Sequence, residues 1–199
     1  AIAILGLGYK VQGRPMSAAG AYVANHTSWL DIFTLNAGAR VYFVAKAEVS
    51  GWAGIGWLAK ATGTIFIARK GAEAKRQQAL FEARLMAGHP LLFFPEGTST
   101  DALRVLPFKS TLFAAFFTAQ VPVPLQIQPV TVIYHAPKGG DPRHYGWWGD
   151  MTFASHLITA VRTAVVRTGR TGVASSLWQT DTSVLCRPGP GSAGLLPAI

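Results

Sequence analysis

The sequence is short of cysteine, of charge and above all of acidic residues. Its 199 residues include a single cysteine, Cys186, which excludes a disulfide framework and a cysteine-rich metal site. Only 14% of the residues are charged, against a usual value of about 25%, and 50% are hydrophobic. This composition excludes a disordered acidic chain, a coiled coil and a collagen-like fibre. No uninterrupted apolar run reaches about 18 residues, so the sequence predicts no transmembrane helix within the chain.

Most of the few charges are positive. Eighteen Lys and Arg residues against nine Asp and Glu residues give a net charge of +9. Such a surface attracts anionic lipid headgroups, phosphorylated substrates and carriers, or nucleic acid. The basic residues are interleaved with Trp, Phe and Ile instead of being packed into one tract, which favours a membrane interface. We therefore expect a bilayer surface as a partner, and no nucleic acid.

Short apolar segments alternate with helical ones along most of the chain. This alternation predicts a single α/β domain with a largely parallel central sheet flanked by helices. In the clearest helix, Leu80, Ala83 and Ala87 are expected to share one face, and Gly88 is expected to end it. Strands are predicted at Ala21–Asn25, Arg40–Ala45, Thr64–Ala68, Leu91–Phe94 and Leu125–Tyr134, and helices at Gly51–Ala61, Ala72–Ala87 and Ser110–Ala119.

The composition changes towards the end of the chain. From Met151 onward the only acidic residue is Asp181, and from about residue 168 Gly, Ser, Thr, Pro and Arg predominate. We predict a domain at residues 1–157, and at 158–199 a last helix followed by an irregular, flexible tail. The alternative is that this stretch is not the natural ending of the domain, for example after a shifted reading frame.

A histidine and an aspartate are the first candidates for chemistry. His26 and Asp31 are separated by four residues, which in a continuous helix would place them about 140° apart. If His26 lies in the loop before a helix and Asp31 in its first turn, the carboxylate can fix the imidazole tautomer. The other ring nitrogen is then available as a general base. Under the competing interpretation, His26 only packs, and Asp31 only caps a helix whose N-cap residue is Ser28, as in a capping box.

Two further charged residues follow predicted strands. Arg69 lies where a strand leads into a helix, a natural position for binding an anion. Glu96 lies on a tight turn directly after an apolar strand. Because His26, Arg69 and Glu96 each follow the carboxyl end of a strand, a parallel sheet would bring them to one edge. No G-x-S-x-G elbow is present, which favours a nucleophile supplied by the substrate's own hydroxyl.

Four motifs occur in the order and spacing of the glycerolipid acyltransferase family. They are H-x4-D in Asn25–Asp31, G-x-x-F-I-x-R in Gly63–Arg69, F-P-E-G-T in Phe94–Thr98 and the proline-containing strand of Val123–Val130. The chain resembles this family from about Gly6 to Leu157, and most resembles bacterial 1-acylglycerol-3-phosphate and lyso-ornithine lipid acyltransferases. The resemblance implies transfer of a fatty acyl group from acyl-CoA or acyl carrier protein to the free hydroxyl of a lysolipid, in membrane phospholipid or glycerolipid biosynthesis.

The resemblance also implies roles for individual residues. It implies no metal and no cofactor, since the acyl donor is a co-substrate, and a location at the cytoplasmic face of the membrane. Family members usually carry an N-terminal membrane element, which we expect to precede Ala1. The implied positions are His26 as general base, Asp31 as its orienting partner, Arg69, Glu96, Gly97, Gly63 and Thr98 in acceptor binding, and Pro124 and Pro129 on the acyl-donor side.

Three alternatives remain beside a lysophosphatidic acid acyltransferase. The acceptor could be lyso-ornithine lipid, the chain could be an inactive fragment that only binds lipid at a membrane surface, or water could replace the acceptor in a hydrolase. Four tryptophans could anchor the domain at a bilayer, with Lys46 and Lys60 nearby: Trp52, Trp57, Trp147 and Trp148. The competing interpretation is core packing.

Overall fold

The chain forms an eight-stranded sheet flanked by helices, in a computed structural model that describes residues 7–67, 72–110, 113, 116, 124–166, 172–178 and 184–186. The described strands are β1 (Leu7–Gly13), β2 (Gly20–Ala24), β3 (Tyr42–Lys46), β4 (Ile65–Ile67), β5 (Leu91–Phe93), β6 (Leu125–His135), β7 (Gly172–Trp178) and β8 (Val184–Cys186). The described helices are α1 (Asp31–Gly38), a 3-10 helix (Ala47–Gly51), α2 (Ile55–Ala61), α3 (Ala72–Met86) and α4 (Phe153–Val166).

The sheet is largely parallel, which confirms the predicted α/β class. Its strand order is β1-β7-β6-β2-β5-β3-β4, and β8 pairs with β6 beside β7. Every neighbouring pair from β6 through β2, β5 and β3 to β4 is parallel. Strands β7 and β8 pair antiparallel with β6, and β1 pairs parallel with β7. The carboxyl ends of the five parallel strands therefore lie along one edge of the sheet.

The central strands are apolar because both of their faces are covered. In β5, Leu92 packs into one core cluster with residues of α1 and α4, while Leu91 and Phe93 pack on the opposite side. All three side chains are fully buried. A continuous apolar run is typical of a parallel strand with helices on both sides.

Helix α3 packs through a different face from the predicted one. The predicted face is wrong, because Leu80 is 47% exposed and Ala83 and Ala87 are also exposed. Phe81 and Leu85 are buried instead, four residues apart and therefore on the same side of the helix. The predicted stop at Gly88 is confirmed by its φ of +70° and by its backbone N–H bond to the carbonyl of Leu85.

Strands form at both ends of the described chain where the sequence pattern predicts none. Leu7 begins β1 and is buried. Residues 172–178 form β7, which pairs with β1 and β6, and residues 184–186 form β8. The prediction of an irregular tail is wrong for these residues, because main-chain pairing requires no apolar periodicity. The rest of the segment from 167 onward lies outside the described residues, and α4 runs across the boundary predicted at 157.

One glycine permits the close approach of β2 to β6. Gly20 pairs with Gln126 and has a φ of +154°, a conformation that is essentially restricted to glycine. A Cβ atom at this position would lie 1.9 Å from the main-chain oxygen of Gln126. The close approach of β2 to β6 thus depends on residue 20 being a glycine, which has no side chain.

Candidate active site

Two of the three residues predicted to meet at the carboxyl edge of the sheet do so. His26 follows β2 and Glu96 follows β5, and the main-chain N–H of His26 donates to Oε1 of Glu96 at 2.6 Å. Arg69 lies outside the described residues. Gly63 precedes β4 and therefore lies at the opposite edge of the sheet, where it borders a separate groove with Arg84.

His26 and Asp31 form a hydrogen-bonded pair. Nδ1 of His26 lies 2.8 Å from Oδ2 of Asp31, whose side chain is completely buried. Since α1 begins at Asp31, the histidine lies in the preceding loop and the carboxylate in the first turn, as the spacing predicts. An ionised Asp31 accepts the Nδ1 proton, so in this tautomer the lone pair is on Nε2. The imidazole ring also stacks on Phe94, with ring centroids 3.9 Å apart.

Asp31 also holds the backbone of its own loop. Its Oδ2 accepts the main-chain N–H groups of Thr27 and Ser28, at 2.8 Å and 3.1 Å. The predicted side-chain cap by Ser28 is wrong: the residue before the helix is Leu30, and the buried Ser28 hydroxyl has no partner among the described residues. The carboxylate of Asp31, rather than a serine hydroxyl, satisfies the free N–H groups at this turn.

Glu96 connects two loops through its buried carboxylate. While Oε1 accepts the N–H of His26, Oε2 accepts the N–H of Leu106 at 2.7 Å. The carbonyl of His26 in turn accepts the N–H of Thr100 at 3.0 Å. Both main-chain polar groups of the histidine are therefore held by the segment 94–109, which fixes the position of its ring.

A mostly apolar cavity of about 400 Å³ opens beside His26. Gly97 and Thr98, both predicted to bind the acceptor, also line it. A chamber of this kind suits an alkyl chain, because it removes apolar surface from water. Its apolar walls are formed mainly by Trp29, Ile32, Phe43, Val49, Trp52, Ile55, Phe94 and Trp147, and its polar groups come from Lys46, Glu48, Thr64, Thr98 and Ser99.

Lys46 is a site residue that the sequence analysis placed only near a membrane. It is the last residue of β3 and lines the cavity, and its Nζ donates to the carbonyl of Gly97 at 3.1 Å. The signal was available, because Lys46 occupies the same strand-end position that identified Glu96 and His26. Its ammonium group brings positive charge to the wall of the cavity.

A buried tryptophan–histidine pair is a second feature of the site that the sequence did not predict. Nε1 of Trp29 donates to Nδ1 of His156 at 2.8 Å, across 127 residues of sequence. Burial lowers the pKa of His156, which keeps the ring neutral and able to accept this bond. Trp29 is thereby fixed as a wall of the cavity by helix α4.

The two prolines predicted on the acyl-donor side do not line this cavity. Pro129 lies within β6 opposite Val23, and Pro124 is exposed before the start of β6. Because β6 runs parallel to β2, its start lies at the edge opposite His26. A contact between Pro124 and the acyl donor would therefore be remote from the imidazole of His26.

Two further kinds of feature are absent from the described ranges. No group of three or more His, Cys, Asp or Glu residues there could hold a metal ion. None of the helices described is long and apolar enough to cross a bilayer.

Comparison with known proteins decides the family. The family model named Acyltransferase matches residues 10–133, more than half of the chain. The chain belongs to the acyltransferase family. The chain is 66% identical over 163 residues to the lyso-ornithine lipid O-acyltransferase of Rhodobacter capsulatus, a match that covers 82% of this chain and 59% of that protein. It is 38% identical over 124 residues to the 1-acyl-sn-glycerol-3-phosphate acyltransferase of Neisseria gonorrhoeae, covering 60% of this chain and 48% of that protein.

A solved structure shares the fold of this chain. The crystal structure of the 1-acyl-sn-glycerophosphate acyltransferase of Thermotoga maritima matches with a TM-score of 0.53 and 24% identity, over 95% of this chain and 66% of that one. The chain spans about three fifths of the length of the lyso-ornithine lipid acyltransferases it matches. The resemblance inferred from the four motifs is confirmed at the level of family and fold.

Proposed function

We propose that this chain transfers a fatty acyl group from an acyl thioester to the free hydroxyl of a lysolipid. The observation that carries the proposal is the His26–Asp31 pair beside a mostly apolar cavity of about 400 Å³. The pair supplies a general base, and the cavity supplies room for an alkyl chain. The names of the relatives support the same class of reaction.

The geometry supports a direct attack by the acceptor. Nε2 of His26 removes the proton of the lysolipid hydroxyl while the hydroxyl oxygen attacks the carbonyl carbon of the thioester. The tetrahedral intermediate collapses with cleavage of the C–S bond. The imidazolium, which Asp31 stabilises, then gives its proton to the leaving thiolate. The products are an ester and a free thiol, and the histidine is neutral again.

The acceptor is proposed at the level of a lysolipid. The relatives named as lyso-ornithine lipid O-acyltransferases support a lyso-ornithine lipid, and those named as 1-acyl-sn-glycerol-3-phosphate acyltransferases support lysophosphatidic acid. Acyl-CoA or acyl carrier protein is the proposed donor, because the net charge of +9 attracts both. No further cofactor enters the proposed reaction.

We propose that the reaction takes place at the cytoplasmic surface of a membrane, and the exposed tryptophans support contact with a bilayer. Trp52 is 51% exposed although it lines the cavity, and Trp57 on the neighbouring helix α2 is 74% exposed. Exposed indoles favour the headgroup region of a bilayer, and Lys60 on the same helix favours anionic lipid. A lipid substrate could then enter the cavity without crossing water.

The test is a transfer assay with labelled acyl-CoA and labelled acyl carrier protein, each with a panel of lysolipids. We expect label in a diacylated lipid only when an acceptor is present. Label in free fatty acid without an acceptor would identify a hydrolase. Liposome binding without turnover, unaffected by loss of His26, would identify a lipid-binding protein and overturn the proposal.

Arg69 is proposed to bind the anionic group of the acceptor, with Glu96, Gly97 and Thr98 shaping the adjoining loop. Arg69→Ala is expected to raise the acceptor KM about 10-fold with little change in kcat, because a fixed charge binds ground and transition states alike. Arg69→Lys is expected to restore part of the affinity, since lysine lacks the bidentate fork.

Steady-state kinetics with each substrate varied in turn tests this prediction. Arg40→Ala serves as the control, because Arg40 is exposed and borders the groove at the opposite edge of the sheet. An unchanged acceptor KM with a raised donor KM would move Arg69 to the donor site.

A further inference from the structure

A tyrosine from the far end of β6 contacts the carboxylate that orients His26. The Oη of Tyr134 donates to Oδ1 of Asp31 at 2.8 Å, across 103 residues of sequence. The Oη of Tyr134 also lies 2.9 Å from Oγ1 of Thr34, which is one turn further along α1. Tyr134 is buried, so water does not compete for these bonds.

The two oxygens of Asp31 have separate sets of partners. Oδ2 receives the imidazole N–H of His26 and two main-chain N–H groups, whereas the side-chain bond from Tyr134 is made to Oδ1. Burial, and next the charge of Asp31, raise the pKa of Tyr134 well above its ordinary value. The phenol therefore remains protonated throughout the neutral range and acts as a donor.

We propose that Tyr134 is a positioning residue that sets the basicity of His26 by drawing negative charge towards Oδ1 of Asp31. The inference rests on the proposed function for its meaning in catalysis. A carboxylate that receives a hydrogen bond at Oδ1 presents less charge to the imidazole at Oδ2. Loss of the phenol hydroxyl leaves more charge facing the ring and stabilises its protonated form.

The sign of the pH effect follows from this arrangement. A general base acts when neutral, so a more stable imidazolium shifts the acid limb of kcat/KM to higher pH. We expect a shift of about 0.5–1 pH unit in Tyr134→Phe, which corresponds to about 0.7–1.4 kcal/mol.

The other charged and titratable groups around His26 lie outside β6 and are unchanged by that substitution. Lys46 and Glu48 line the same cavity, Glu96 binds the histidine N–H, and Lys109 lies beside Gly97. Tyr9 of β1 adds a phenol close to Tyr134 and Thr34. Because all of them remain in the variant, a shift is attributable to the lost hydroxyl.

Tyr22→Phe is the matched control. Tyr22 is also a buried tyrosine and lies on β2, next to β6, but its hydroxyl donates to the carbonyl of Met16 at 3.1 Å. This control loses a partly buried phenol hydrogen bond without touching Asp31. If Tyr134 only stabilises the fold, both Tyr134→Phe and Tyr22→Phe should be less stable than the parent. The acid limb of kcat/KM should then move in neither variant.

The experiment combines two measurements on the full chain between about pH 5 and pH 9. The first is kcat/KM with a lysolipid acceptor, and the second is an NMR titration of the His26 ring, which needs no turnover. The expected result is a higher titration midpoint for Tyr134→Phe and an unchanged one for Tyr22→Phe. Difluorotyrosine in place of Tyr134, a stronger donor, should move the midpoint in the opposite direction and provides a second variant if the first fails to fold.

The two readouts separate failure of the inference from failure of the proposed function. A shifted midpoint in a protein that transfers no acyl group supports the inference and rejects the function. A midpoint unchanged in both Tyr134 variants overturns the inference, whether or not acyl transfer occurs.

Discussion

Replacement of His26 by alanine is expected to lower the turnover of acyl transfer by about 100-fold or more, the usual contribution of a positioned general base. The imidazole is the group that Asp31 orients beside the cavity, at 2.8 Å from its carboxylate. The acceptor KM should change little, because the proton is transferred only in the transition state. Initial rates with saturating lysolipid measure the effect.

His135→Ala is the control for this variant. His135 is exposed at the end of β6, so its loss should leave turnover within about twofold of the parent. Thermal melting of both variants checks that the fold survives. A His26→Ala turnover within a factor of about three of the parent would remove His26 from the mechanism and would require another base.

Gly20→Ala is expected to cost about 3 kcal/mol or more in the free energy of unfolding. The new methyl group would lie 1.9 Å from the main-chain oxygen of Gln126, and the φ of +154° is unfavourable for alanine. Relief of the clash requires β2 and β6 to separate, which also moves His26 relative to Tyr134. Denaturant unfolding measures the loss.

Gly51→Ala is the matched control, since a Cβ atom there would meet nothing within 4 Å. Its stability should remain within about 0.5 kcal/mol of the parent. Equal stability of Gly20→Ala and the parent would show that β2 and β6 do not approach as closely as described.

The local part of the fold is predictable from the sequence. Apolar runs such as Leu91–Phe93 identify the buried parallel strands, and residues at their carboxyl ends identify the site. The His26–Asp31 contact could be inferred because a loop followed by a helix start constrains so short a spacing. These features depend on neighbours within a few residues.

Other features depend on partners that are remote in sequence. Phe81 rather than Leu80 faces the core because of where α3 lies on the sheet, which the helix pattern alone does not decide. Strand β7 contains small and polar residues and forms through main-chain pairing with β1 and β6. Tyr134 lies 103 residues from Asp31, so only the folded sheet reveals their contact.

The segment 94–109 and the loop that begins at His26 constitute a single exchangeable unit for protein engineering. Glu96 accepts the N–H of His26, and Thr100 donates its N–H to the carbonyl of His26. Ser99 donates to the carbonyl of Trp147 on a third loop. A chimera that grafts either segment alone from a distant acyltransferase would misplace the base even if every side chain in the cavity were retained. Grafts that keep these partners together should preserve turnover, which makes recombination points outside residues 26–31 and 94–109 the productive ones.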